Sequence, residues 1–361
     1  MIKLYEPKLY KEDIELVNKT LKDGWISGNS PIVEEFENKL KNFSGSKFCL
    51  ATSSGTTALH LSLLASNLKK GDEVIMPSLS YIATANVVTY FGGKAVFVDV
   101  NKDDFQIDTS KIEEKISKNT KAILPVHLYG GVPDIQKINS IAKKYNLKII
   151  HDAAEALGSE YKNKQSVSLK DSGVVSFFPN KIITTGEGGA ILTNNEKLYK
   201  QSKLLRSQGL KKGTDYVHDI VGYNYRITAM SAALGINQID RILQHRDIKT
   251  EIFNTYKDEL SNYGVAFQSS KKHVLNSYWL TVCIFQNKVN ITKLQKYLYT
   301  NNVETRRVFL PIPNQKPYLE IIDSFENSFN IYNSGICLPS YPGLKKSHQK
   351  YIIKKIIEFI K

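Results

Sequence analysis

The chain has 361 residues, 42% of them hydrophobic and 23% charged, which is typical of a globular protein with room for two domains. Its 49 basic and 35 acidic residues give a formal charge of +14, but the lysines are scattered and no basic helix gathers them, so we expect no nucleic-acid binding. With no membrane-length apolar run, no signal-peptide pattern and only three widely spaced cysteines, we expect a cytoplasmic protein that uses neither a membrane nor a metal.

The first two thirds of the chain alternates short apolar strands with helical patterns. We predict a helix at residues 228–243 and strands at residues 73–77, 95–99, 122–126, 148–151, 174–178 and 190–193. Continuous Val, Ile and Leu runs separated by helices indicate a mostly parallel sheet that is covered on both faces. In such sheets, ligands collect at the carboxyl ends of the strands.

The pattern changes from about residue 250. An alternating strand is predicted at residues 278–285, a Pro-rich loop at 311–317, and helices at 250–263, 292–301 and 347–360. We therefore predict a large α/β domain over residues 1–245 and a smaller α+β domain over residues 246–361.

A turn of small residues at 53–55 runs into an apolar helical pattern. Free N–H groups at a helix N-terminus, with Thr and Ser hydroxyls beside them, form an anion site suited to phosphate. Helix capping by Ser54 or Thr56 explains the same residues, so both interpretations stay open for this segment.

Lys181 follows an apolar, strand-like run and opens a Gly-rich turn that ends at Gly189. A lysine among apolar neighbours can lose its proton and attack a carbonyl, which is how proteins hold pyridoxal phosphate as a Schiff base. Most lysines of the chain are surface charges, and this one is singled out because other segments provide the rest of such a site.

Three further segments carry candidate residues. Asp152 ends a buried strand, where it can pair with a protonated pyridine nitrogen or serve as a helix cap. Glu155 follows three residues later and can reach the cofactor's phenolic oxygen or the substrate. Tyr81 comes just after a strand end, where it can stack on a flat cofactor or pack in the core. Asn224 lies in a polar loop before a small-residue helix.

The order of these segments resembles the DegT/DnrJ/EryC1/StrS family of sugar aminotransferases, which belong to the fold-type I pyridoxal phosphate enzymes. The resemblance covers nearly the whole chain and is carried by WIS at 25–27, SGTTAL at 54–59, PVHLYG at 125–130, DAAEALG at 152–158, SFFPNK at 176–181, GEGG at 186–189, GYNYR at 222–226 and LPSYP at 338–342. It implies a large domain with a mostly parallel seven-stranded sheet and a smaller C-terminal domain.

The resemblance also implies roles. Lys181 would hold the cofactor and shuttle the proton, Asp152 would pair with the pyridinium nitrogen, and Tyr81 would stack on the ring. Glu155 stands where the family often has Gln. The phosphate cradle would comprise Gly55, Thr56, Thr57 and Ser176. Asn224 would reach the phosphate of a neighbouring subunit's cofactor, which implies a homodimer with shared sites.

The substrates implied are L-glutamate as amino donor and a nucleotide-linked keto sugar. Segments around Lys181 and Asn224 most resemble GDP-perosamine synthases, which favours GDP-4-keto-6-deoxymannose and a role in surface polysaccharide synthesis. A UDP- or dTDP-linked 3- or 4-keto sugar is the alternative. Family members that are sugar dehydratases have histidine at the lysine position, so Lys181 favours transamination.

Two departures from the family pattern bear on the substrate. The segment ETRRVFLPIP at 304–313 differs from the usual family motif, and His151 stands where an acid is usual before Asp152. We expect Trp25, Arg306 and Phe309 to border the substrate, so the first departure concerns the nucleotide and sugar that the site accepts.

Overall fold

The computed structural model describes residues 1–168, 171–210, 213, 215–286, 289–319 and 324–361. The helices are α1 (Lys11–Lys22), α2 (Pro31–Ser44), α3 (Gly55–Ala65), α4 (Ala83–Tyr90), α5 (Ile135–Tyr145), α6 (Glu196–Arg206), α7 (Ala229–Ile239), α8 (Ile242–Leu260), α9 (Ile291–Thr300), α10 (Glu326–Ser334) and α11 (Lys346–Ile360). The strands are β1 (Phe48–Thr52), β2 (Glu73–Pro77), β3 (Lys94–Val98), β4 (Thr120–Ile123), β5 (Lys148–Asp152), β6 (Glu160–Tyr161), β7 (Lys164–Gln165), β8 (Ser172–Ser176), β9 (Gly189–Thr193), β10 (Val265–Phe267), β11 (Val274–Leu275), β12 (Thr281–Phe285), β13 (Arg306–Arg307) and β14 (Gly335–Leu338).

Seven strands form the main sheet in the order β1-β9-β8-β5-β4-β2-β3. The strands from β8 to β3 are parallel, whereas β9 and β1 pair antiparallel at one edge. The predicted seven-stranded, mostly parallel sheet is confirmed; β1 was not among the predicted strands. The connection from β8 to β9, residues 177–188, contains no helix, and β9 returns antiparallel beside β8.

A second, four-stranded antiparallel sheet has the order β10-β12-β14-β13. Its core includes residues of α8, α9 and α11 that pack on the strands, among them Ile252, Leu294 and Ile352. The predicted domain boundary at residue 245 falls inside α8, and Ile2 bridges to Val303 in the second region. The division into two domains stays a prediction.

The buried helix α3 fixes one corner of the site. Most of its residues are buried, and it packs against α4, α6 and the strands β8 and β9. Its N-terminus therefore lies at the carboxyl edge of the main sheet, beside the ends of β5 and β8. Such an edge is where a parallel sheet collects ligands.

In the part of the chain that the structure describes, none of the helices has the length and apolar character needed to span a bilayer.

Candidate active site

A cavity of about 410 Å³ opens at the carboxyl edge of the main sheet. Nine of the residues singled out from the sequence line it: Gly55, Thr56, Tyr81, Asp152, Glu155, Ser176, Lys181, Arg306 and Phe309. Thr57, Asn224 and Trp25 do not. Within the described ranges, no cluster of His, Cys, Asp or Glu is suited to hold a metal ion.

Lys181 lies in the connection between β8 and β9, where its backbone N–H donates to the Phe178 carbonyl at 2.9 Å. Its Nζ lies 3.8 Å from Oε1 of Glu155 and 3.7 Å from the centroid of the Trp279 ring. Burial lowers the pKa of Lys181, and the Glu155 charge opposes that shift. The amine is therefore closer to its neutral, nucleophilic form than a surface lysine would be.

Glu155 is buried beside this amine. Its Oε2 accepts a 2.8 Å hydrogen bond from the backbone N–H of Tyr129. Burial raises the pKa of Glu155, and the Lys181 charge and the Tyr129 N–H partly counter it. Both members of the pair are therefore displaced toward their neutral forms, which places a proton donor and a proton acceptor side by side near neutral pH.

Asp152 ends β5, and its side chain is buried. Its Oδ2 accepts a 2.7 Å hydrogen bond from Thr84 Oγ1, and its Oδ1 accepts one at 3.2 Å from the backbone N–H of Ala154. Burial nevertheless raises the pKa of Asp152. Among the described residues, no cation forms an ion pair with this carboxylate, although the charge of Lys181 partly counters the shift. A protonated pyridine nitrogen in the cavity would provide a direct partner.

The phosphate end is built by the start of α3 against β8. A Cβ added to Gly55 would lie 2.9 Å from the Cβ of Ser176, so only glycine allows the helix to approach this closely. Thr56 lines the cavity, and the first N–H groups of a helix have no acceptor within it. A phosphate is suited to such a corner.

Thr57 has a different local role from the other predicted cradle residues. Its Oγ1 accepts from the Ser54 backbone N–H at 3.0 Å, and its own N–H donates to Ser54 Oγ at 3.1 Å. These two bonds form a capping box that starts α3. The Thr57 hydroxyl is therefore engaged within the cap, and it stabilises the helix end that faces the phosphate corner.

Aromatic side chains form the remaining walls. Tyr81 is 57% exposed and packs on Phe309 with ring centroids 5.9 Å apart, so it can stack on a planar ligand. Phe309 is fixed by its backbone N–H, which donates to Tyr129 Oη at 3.2 Å. Arg306 enters from β13, with Cζ 5.2 Å from the Phe309 ring centroid.

Together these residues fit pyridoxal phosphate. A buried amine, a buried carboxylate, and a helix N-terminus with a glycine at the close approach match the aldehyde, ring nitrogen and phosphate of that cofactor. The fit rests on residues contributed by five separate segments of the chain.

Two predicted residues lie away from this cavity. Asn224 is exposed, and its Oδ1 accepts from Nη2 of Arg226 at 3.1 Å. Trp25 is 51% exposed. Such positions suit contact with a second subunit, and the roles that the family resemblance implies for both residues stay predictions.

Three residues of the site were not singled out from the sequence. Thr84 orients Asp152, Tyr129 binds Glu155 through its backbone, and Trp279 lies against Lys181. Tyr129 lies inside one of the family-like motifs, but its left-handed backbone (φ 54°) gives no sequence signal. Thr84 and Trp279 are recognised only through spatial neighbours that are far away in the chain.

The chain is similar to known proteins over nearly its whole length. The model of the DegT/DnrJ/EryC1/StrS aminotransferase family matches residues 7–357. A protein of Escherichia coli O157:H7 named GDP-perosamine synthase is 38% identical over 99% of this chain and 98% of its own. One of the same name from Caulobacter vibrioides is 38% identical over 96% of this chain and 95% of its own.

Solved structures agree as well. The chain superimposes on the Streptococcus pneumoniae putative sugar aminotransferase Spr1654 in its PMP form with a TM-score of 0.93, at 25% identity over 98% of both chains. Helicobacter pylori PseC, an aminotransferase involved in the biosynthesis of pseudoaminic acid, gives a TM-score of 0.93 at 27% identity over 98% of both chains. The chain therefore belongs to the DegT/DnrJ/EryC1/StrS family of pyridoxal-phosphate-dependent aminotransferases.

Proposed function

We propose that the protein transfers the amino group of L-glutamate to a nucleotide-linked 4-keto-6-deoxyhexose, with GDP-4-keto-6-deoxymannose favoured, for surface polysaccharide synthesis. The observation that carries the proposal is the Lys181 amine, buried 3.8 Å from Glu155 in the cavity that also holds Asp152. The relatives named GDP-perosamine synthase support the choice of sugar nucleotide.

Lys181 is assigned the central role. Its Nζ would hold pyridoxal phosphate, and when that amine is free it would take a proton from the Cα of the amino donor. When bound, pyridoxal phosphate supplies the electron sink that makes this Cα–H acidic. The lowered pKa of Lys181 suits proton transfer in both directions near neutral pH.

Asp152 and Glu155 would act on different parts of the cofactor. Asp152, held by the Thr84 hydroxyl, would keep the ring nitrogen protonated, which strengthens the ring as an electron sink. Glu155 lies next to the amine and can exchange a proton with Lys181 or with the cofactor's phenolic oxygen.

We assign Arg306 the role of binding the carboxylate of the amino donor. Its Nε and Nη2 are buried, and no described residue accepts a hydrogen bond from them. These two nitrogens form the side-on edge of the guanidinium, which matches the two oxygens of a carboxylate. An unpaired edge costs free energy, and a bound carboxylate would offset that cost.

Exchange of Arg306 for Lys tests this assignment. The half-reaction with L-glutamate is expected to need at least tenfold more donor, whereas the reverse half-reaction with the amino sugar should be less affected. An equal loss in both half-reactions would contradict the carboxylate role. The two half-reactions are read separately by the absorbance of the cofactor.

A homodimer with shared sites is part of the proposal, because Asn224 is exposed and lies outside its own cavity. Lys181→Ala and Asn224→Ala should each lose activity, and mixed subunits should recover part of it, because one site of the mixed dimer then has both residues. No recovery in a mixture that exchanges subunits would contradict sharing.

We also propose a cytoplasmic location. The cysteines Cys49, Cys283 and Cys337 are buried and free, which fits a reducing compartment.

The function is tested with a panel of GDP-, UDP- and dTDP-linked 3-keto and 4-keto sugars, each incubated with L-glutamate and the holoenzyme. The expected result is a product mass that shows replacement of the keto oxygen by an amine, highest for GDP-4-keto-6-deoxymannose. Preference for another nucleotide would change the substrate assignment. Loss of a sugar hydroxyl without nitrogen transfer would instead identify a dehydratase and refute the proposal.

A further inference from the structure

Trp279 lies directly before β12 and touches the amine of Lys181. The indole is buried, with 3% of the residue exposed, and its ring centroid lies 3.7 Å from Nζ. The indole Nε1 donates a 2.8 Å hydrogen bond to the carbonyl of Asn180, the residue before the lysine. The side chain is thus fixed both to the backbone that carries Lys181 and to the amine itself.

Two further aromatic rings pack against the indole. The Tyr129 ring is nearly parallel to it, with 5.9 Å between centroids and 12° between planes. The Phe309 ring lies at 6.2 Å and 16° from the indole, and its centroid is 5.5 Å from that of Tyr129. Packing against both rings leaves the buried indole little freedom to turn, so its contact with Nζ is preorganised.

We propose that Trp279 is a positioning residue for Lys181, whose indole face stabilises the protonated amine and holds Nζ in the cavity whenever it is not bonded to the cofactor. The inference rests on the assignment of Lys181 as the cofactor lysine. A ring face attracts a cation through its quadrupole but offers no lone pair that would take the proton. Trp279 therefore holds the amine without competing for the proton that it must transfer.

Three other charged groups around Nζ also affect the protonation of Lys181. Glu155 and Asp152 favour the protonated amine, and Arg306 disfavours it. Arg306 also lies over the indole, with Cζ 5.4 Å from the ring centroid, so the same ring lies close to two cations. Removal of the ring face should then lower the pKa of Lys181, because the carboxylates and Arg306 remain in place while one stabilising contact of the ammonium is lost.

The test uses Trp279→Phe and Trp279→Leu on the full chain. Both variants lose the indole N–H, but only Trp279→Phe retains an aromatic face. A difference between the two variants in the pH profile below is therefore due to the aromatic ring. The measurement is the rate at which cofactor-free protein captures pyridoxal phosphate, followed by absorbance from pH 6 to 10. The midpoint of this profile gives the pKa of Lys181, because only the neutral amine reacts.

We expect the midpoint to fall by about one pH unit in Trp279→Leu and to take an intermediate value in Trp279→Phe, a shift that matches the usual strength of a cation–π contact. An unchanged midpoint in both variants, or a uniform loss of rate at every pH, would overturn the inference. If Trp279→Leu does not fold, the shift from wild type to Trp279→Phe decides, with a fall expected and no change contradicting it.

The same data separate this inference from the assignment of Lys181. If the wild-type protein captures no pyridoxal phosphate, the assignment of Lys181 fails. If the wild type captures it and the Trp279 variants share its midpoint, only the role of Trp279 fails.

Discussion

Replacement of Asp152 by Asn removes one charge and almost no volume, and its effect should differ between cofactor-free and cofactor-loaded protein. Without cofactor the carboxylate is buried and its pKa is raised, so ionised Asp152 opposes folding. Because the folded pKa lies above the unfolded one, stability is lost as pH rises through this range, and the loss persists at neutral pH. Asp152→Asn should therefore match or exceed the wild-type thermal midpoint in cofactor-free protein at pH 7.

In cofactor-loaded protein, Asp152→Asn should be harmful. Loss of a charge-assisted hydrogen bond costs about 1.5–3 kcal/mol, so the affinity for pyridoxal phosphate should fall roughly 10- to 150-fold. An amide also fails to keep the ring nitrogen protonated, so turnover should fall by at least about 100-fold, as when one electrostatic stabiliser is removed from an active site. Thr84 and Ala154 can still bond the amide, so the local structure should persist.

Asp13→Asn is the matched control. Asp13 is fully buried, but its Oδ1 is paired with Nη1 of Arg241 at 2.9 Å, far along the chain from the site residues. Breaking that pair should destabilise the protein by about 3–5 kcal/mol with or without cofactor and leave cofactor affinity unchanged. Thermal unfolding and cofactor titration measure both variants. An Asp152→Asn protein that binds cofactor as tightly as wild type would refute the reasoning.

The remaining predictions concern three other positions. Gly55→Ala should destabilise the protein by about 1–3 kcal/mol and weaken cofactor binding, because its Cβ would lie 2.9 Å from the serine that ends β8. The control is Gly343→Ala, whose Cβ would have its nearest contact at 3.6 Å. This variant should leave both thermal unfolding and cofactor titration unchanged. Glu155→Gln should lower the pKa of Lys181 by at least about one pH unit, because a charge at 3.8 Å is worth up to about 4 kcal/mol. Cofactor capture should therefore begin at lower pH in this variant. A rise in the pH at which capture begins would contradict the prediction. Burial lowers the pKa of Lys249 from 10.5 to about 7, so the free energy of unfolding of the wild type should rise with pH between these values. Chemical denaturation at several pH values should show this rise in the wild type and not in Lys249→Met. A rise of the same size in Lys249→Met would contradict the lowered pKa.

The sheet and the reactive residues were predictable because their signals are local. Continuous apolar runs indicated most strands of the main sheet, and the carboxyl-end rule placed Asp152 and Lys181 at one edge. The strand β1 was missed; among its residues, Ala51 is of a type that is depleted in strands. The antiparallel pairing of β9 could not be predicted, because the apolar run alone does not give the direction of a strand.

Partners that act on these residues from elsewhere in the chain could not be predicted. Thr84 and Trp279 each make their key contact across a separation of many residues, and nothing in their own segments marks them. Thr57 is a different case. The family resemblance implies that it belongs to the phosphate cradle, which stays a prediction, and the structure shows its hydroxyl in the cap that starts α3.

The role of Lys181 as the cofactor lysine is tested by borohydride reduction of the pyridoxal phosphate-loaded protein, followed by mass analysis of its peptides. A phosphopyridoxyl group is expected on the peptide that contains Lys181, and none after exchange of Lys181 for Ala. Among the described residues, Lys249 is the other buried lysine with a lowered pKa. A label on Lys249, or no label on any lysine, would contradict the assignment of Lys181.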